Sequence, residues 1–107
     1  MEKRAGAWDY EEMLRVLCLY ASVDLGDKTR ISRETLELVK SHMPKRTIGT
    51  IKLRLSNYIA RDPEMQAIGI KGLSGGGVHV DEIWQKFSDD HGILDHKKLL
   101  LEASRRL

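Results

Sequence analysis

The chain has 107 residues, of which 41% are hydrophobic and 32% charged, a composition that suits one soluble globular domain and excludes a disordered chain. A formal net charge of +2 says little by itself about an anionic partner, and a single cysteine, Cys18, cannot staple the chain, which points to a reducing cytoplasm. No apolar run is long enough to span a bilayer, and the opening stretch MEKRAGAWDYEE turns acidic before any apolar region, so neither a membrane anchor nor a secretory signal is expected.

The spacing of apolar residues predicts about five helices in a compact, mainly α bundle. Asp9, followed by Glu12, reads as an N-cap and its reciprocal partner, and opens a helix over about Tyr10 to Val23. Its apolar residues cover more than one stripe, so it is expected to be buried on much of its circumference, Cys18 among them as a small core hydrophobe. Leu25-Gly26-Asp27 reads as the stop and turn. Ser32 caps a second helix, about Arg33 to His42, which Pro44 ends. Thr47 caps a third, about Ile48 to Ala60, closed by Asp62-Pro63, with room for a short helical turn at Pro63 to Ala67.

Gly69 to Val80 contains five glycines and is expected to be a loop, or a small hairpin or wing made from Ile68–Ile70 and Val78–Val80. Asp81 caps a fourth helix through about Asp89, with Ile83, Trp84 and Phe87 facing inward. Asp95 caps a fifth, about His96 to Arg105.

Charge distribution carries more than net charge. From Val39 to Arg61 there are six basic residues and no acidic one. Within that stretch, helix, four-residue turn and helix at Ser32–Ala60 fit a helix-turn-helix unit. On a wheel of about 100° per residue, Thr47, Thr50, Arg54, Asn57 and Arg61 share one stripe, while Ile48, Ile51, Leu55, Tyr58 and Ile59 lie opposite. Arginine pairs with guanine, asparagine with adenine, and threonine reaches bases or phosphates, so this stripe is chemically suited to reading double-stranded DNA. Lys45 and Arg46 at the head of the helix, with Lys52 and Arg61, are expected to hold phosphates. A solvated surface helix would show the same amphipathic pattern.

Other chemistries fit less well. The run GIKGLSGGG matches neither nucleotide-binding glycine pattern. His42, His79, His91 and His96 are scattered, so no metal or other cofactor is expected, and no nucleophile–base set suggests catalysis. The rival to DNA binding is a protein–protein module, an inhibitor or adaptor. It would use the apolar C-terminal helix with Leu94, Leu99, Leu100, Leu101 and Leu107 to dimerise or to hold a protein partner.

The ordered set Leu17-Cys-Leu-Tyr20, Arg46-Thr-Ile-Gly-Thr-Ile-Lys-Leu-Arg-Leu-Ser-Asn-Tyr58, Asp62-Pro63, Gly72-Leu73 and Trp84-Gln-Lys-Phe87 resembles the N-terminal helical region of bacterial restriction-type HNH endonucleases. The resemblance covers about Trp8 to Phe87. It implies a DNA-recognition role, with Arg46, Gly49, Arg54, Asn57 and Tyr58 in the shared motif. Tyr58 stands where phenylalanine is usual, and Arg61 where leucine is usual, which adds positive charge. The HNH nuclease motif itself is absent, so the resemblance implies binding without cleavage, by a domain of a longer enzyme or a free-standing relative.

Overall fold

A computed structural model describes residues 7–107, so Met1–Gly6 of the opening stretch lie outside it. Among the described residues, six α-helices form a compact globule: α1 (Tyr10–Ser22), α2 (Arg33–Lys40), α3 (Ile48–Ile59), α4 (Pro63–Ala67), α5 (Val78–Lys86) and α6 (His96–Arg106). The described residues contain no strand. An isolated antiparallel bridge joins Ser88 to Leu94 and closes the loop before α6. No helix among them is long and apolar enough to cross a membrane.

α1 is the hub, packed against α2, α3, α5 and α6. Its apolar residues run almost around the helix, and Met13, Leu14, Val16, Leu17, Leu19 and Tyr20 are all buried. The expected capping box is present: Asp9 accepts from the Glu12 amide, and Glu12 accepts from the Asp9 amide. The far end of α1 has no basic residue in its last turn. That role passes to Lys28, which follows a 3-10 turn at Leu25–Asp27 and donates its ammonium to the carbonyls of Tyr20 and Val23. Carbonyls that a helix C-terminus leaves unpaired are thereby satisfied from outside the helix.

Three aromatic rings join α1, α3 and α5. Tyr20, Tyr58 and Trp84 lie with centroids 5.9–6.2 Å apart. Each ring also places its polar atom: Tyr20 donates to Asp62, Tyr58 to the Met13 carbonyl, and Trp84 to the Gly92 carbonyl. Aromatic residues with a polar tip are buried at low cost only when that tip finds a partner, as all three do here.

Two expectations change. The glycine-rich segment is not a hairpin: Gly75, Gly76 and Gly77 all have positive φ, and they turn the chain into α5, which starts at Val78. Val78–Val80, read as strand, is therefore the first helical turn, and Asp81 lies inside the helix instead of capping it. α2 stops at Lys40, two residues early. The amides of His42 and Met43 bond to the carbonyls three residues back, a tightening that ends the helix. The α2–α3 link is then 41–47, longer than the four-residue turn of a compact helix-turn-helix unit. The short helical turn expected at Pro63–Ala67 is present as α4, capped by Asp62, which brings the helices among the described residues to six.

Candidate nucleic-acid interface

α3 carries most of the expected contact residues, and its packing divides them. Lys45, Thr47, Thr50 and Lys52 are exposed. Thr47 and Thr50 form a reciprocal capping box, each side chain accepting from the other residue's backbone amide. These two hydroxyls therefore build the helix head before they are available to any ligand.

Arg46 is placed differently from the expected phosphate contact. It is 5% exposed and forms a two-pronged pair with Glu12, Nε to Oε2 at 3.0 Å and Nη2 to Oε1 at 2.7 Å. Nη2 also donates to the Ala7 carbonyl, and the guanidinium lies 4.9 Å from the centroid of the Trp8 ring. Burial pushes the Glu12 carboxyl up, but hydrogen bonds from Arg46 and the Asp9 amide outweigh it and hold the carboxyl below its ordinary pKa. Arg46 thus fastens the α2–α3 link to α1.

The C-terminal half of the predicted stripe is covered by the glycine segment. Asn57 is 3% exposed; its Nδ2 donates to the Leu73 carbonyl at 2.7 Å, and its Oδ1 accepts from Arg54. Arg54 also reaches the Gly76 carbonyl and lies 4.9 Å from the centroid of Trp8. Its Nε is buried with no hydrogen-bond partner among the described residues. Burial lowers its pKa; Tyr58 opposes this, and the charges of Arg46 and Arg61 reinforce it. Arg61 pairs with Asp81 at 2.9 Å and donates to the Asn57 carbonyl. The stripe that looked like a DNA-reading face is, over this half, the seat of residues 72–77.

Two glycines permit that seat. A Cβ on Gly72 would fall 2.2 Å from the Ser56 carbonyl oxygen and 2.3 Å from the Ala60 nitrogen, so the strap lies directly on the α3 backbone. A Cβ on Gly76 would meet Val80, Arg54 and Asn57, all within 2.8 Å. The Leu73 amide bonds to the Ser56 carbonyl and hydroxyl at 3.2 and 2.9 Å. No sequence pattern locates such an approach, because the partners are backbone atoms.

The surface that α3 does offer is rotated about a quarter turn from the predicted stripe, at about 100° per residue. It consists of Gly49, Thr50, Lys52 and Leu53, with Lys45 at its head. Lys52, Leu53 and Gly49 were not on the predicted reading face; Lys52 was expected only as a phosphate contact.

Elsewhere, no group of three or more His, Cys, Asp or Glu side chains among the described residues is placed to hold a metal. The Asp89 carboxylate accepts from the amides of His91 and Ile93, which lowers its pKa, and Asp95 caps α6. The leucines of α6 split: Leu99 is buried, while Leu100 and Leu101 are exposed, as is Leu107 just after the helix. Comparison with protein-family models, with curated proteins and with solved structures finds no match.

Proposed function

We propose that the chain is a non-catalytic module that binds double-stranded DNA in the cytoplasm, in the restriction- or regulation-associated setting that the resemblance implies. The binding surface is the head of α3 and the link before it. The observation that carries this reading is that Lys45, Thr47, Thr50 and Lys52, in the link before α3 and its first turns, are all exposed, in a stretch with no carboxylate from Val39 to Arg61. Lys45 and Lys52 supply phosphate contacts. Gly49 lets the helix backbone approach closely, and Leu53 offers an apolar surface to base edges. Arg46, Asn57 and Arg61 act in this reading as the internal frame that orients the head.

The test separates the two groups of residues. Lys45→Ala and Lys52→Ala each weaken duplex binding for all sequences alike, measured by fluorescence anisotropy at low salt. Arg61→Ala, whose side chain is tied to Asp81 and the Asn57 carbonyl, alters stability more than affinity. Equal duplex affinity for the parent, Lys45→Ala and Lys52→Ala rejects the placement.

A second reading is favoured by one observation. Leu100 and Leu101 are 67% and 63% exposed on α6, and Leu100 borders a shallow apolar depression lined also by Cys18, Ala21 and Leu99. Such a face suits a second copy or a protein partner. Sedimentation velocity over a range of concentrations tests the homodimer, which Leu101→Glu should dissolve.

A further inference from the structure

A groove of about 390 Å³ runs beside α3, between the Lys28–Ile31 segment and Lys71. Its floor includes Ile31 and Leu55, its wall includes Arg30, Lys52 and Lys71, and no carboxylate lines it. The Lys28 ammonium also borders it but is turned to the carbonyls of α1, so that charge is already committed. Lys52 and Lys71 are exposed, and neither has a hydrogen bond or ion pair among the described residues. Arg30 is held loosely by the Gly26 carbonyl at 3.3 Å and by Asp27 at 3.7 Å.

We infer that this groove is a second contact surface, which holds a phosphodiester strand of the duplex alongside α3. The inference rests on the DNA-binding reading and extends it to residues the sequence did not single out. Lys52 links the two surfaces, because it belongs both to the exposed arc of α3 and to the groove wall. A helix that enters a groove of DNA has a phosphate strand on either side, so cations are needed on both flanks of it. Lys71 and Arg30 supply the flank that the α2–α3 link does not. The apolar floor suits the sugar faces between successive phosphates. Lys71 lies just before Gly72, so the strap that covers Arg54 and Asn57 also delivers this lysine to the groove.

The experiment measures affinity for a random duplex across a salt series, for the parent and for Lys45→Ala, Lys71→Ala, Lys71→Glu and Lys97→Ala. Each lost phosphate contact reduces the slope of log K against log salt by about 0.9. The expected result is a slope reduction of that size for Lys71→Ala, a larger loss of affinity for Lys71→Glu, and parental behaviour for Lys97→Ala on α6. If Lys45→Ala weakens binding while both Lys71 variants keep the parental slope, the groove is not a phosphate site and the α3 reading stands. If the parent fails to bind duplex at low salt, both fall together. Weakened binding of an oligoglutamate by Lys71→Ala, with the duplex slope unchanged, assigns the groove to an acidic peptide and overturns the inference.

Discussion

Arg46 and Glu12, 34 residues apart in sequence, meet in a two-pronged ion pair with a shortest contact of 2.7 Å. The pair ties the segment ahead of α3 to the first turn of α1, and so sets the direction in which the candidate binding surface faces. Removing one member leaves the other buried without its partner. Arg46→Ala is therefore expected to cost about 3–5 kcal/mol, and Arg46→Lys to recover only part of it, because an ammonium cannot bond in two prongs. The double variant Glu12→Leu/Arg46→Met should be less destabilised than Arg46→Ala alone. Urea unfolding of the three variants checks the order.

The same pair sets a pH dependence. Glu12 has its carboxyl held below the ordinary value of 4.5 in the folded chain, so the unfolded chain takes up the proton first as pH falls. The stability from this group is complete above that value and is lost as pH drops through it and below. Glu12→Gln should flatten the acid limb of a stability-versus-pH curve, and an unchanged acid limb counts against the pair's role.

Gly72 and Gly26 give a matched comparison. A methyl on Gly72 would collide with α3 backbone atoms, whereas one on Gly26 has nothing within 4 Å. Gly72→Ala is expected to lower stability by about 1–3 kcal/mol by lifting the strap. Gly26→Ala is expected to be neutral or to stabilise by up to about 1 kcal/mol, through the unfolded state. Thermal melts of the two variants read this difference.

Lys28 has its pKa lowered by burial, with Asp62, Glu64 and Asp24 opposing the shift, and its ammonium serves the end of α1. Lys28→Met keeps the stem and removes the charge-assisted bonds, at a cost of about 1.5–3 kcal/mol. Lys71→Met, which breaks no internal bond, should melt like the parent.

Much of the fold is legible in the chain because it is written locally. Asp9–Glu12, Ser32, Thr47, Asp62-Pro63 and Asp95 mark helix starts, and the apolar spacing of α1 marks a helix buried on most sides. The candidate site was legible only in part. A wheel separates polar from apolar side chains, yet Asn57 is buried and Arg54 and Arg61 are half-buried, held by carbonyls and a carboxylate supplied from residues 73, 76 and 81. Arg46 has its partner in another helix. Such long-range pairing of buried polar groups leaves no periodic signal. Lys45 and Lys52 are exposed, as the sequence suggests, and neither has a hydrogen bond or ion pair among the described residues.

The central claim is that the α3 head and its flanking lysines hold duplex DNA through phosphate contacts. Its most direct test is a binding titration of the unmodified chain with a random duplex at about 50 and 200 mM salt, a range over which several phosphate contacts produce a large change in affinity. The expected result is clear binding at the lower concentration and a steep loss at the higher, with a slope corresponding to about four phosphates, those of Lys45, Lys52, Lys71 and Arg30. An absence of duplex binding at the lower concentration, or an affinity indifferent to salt, would contradict it.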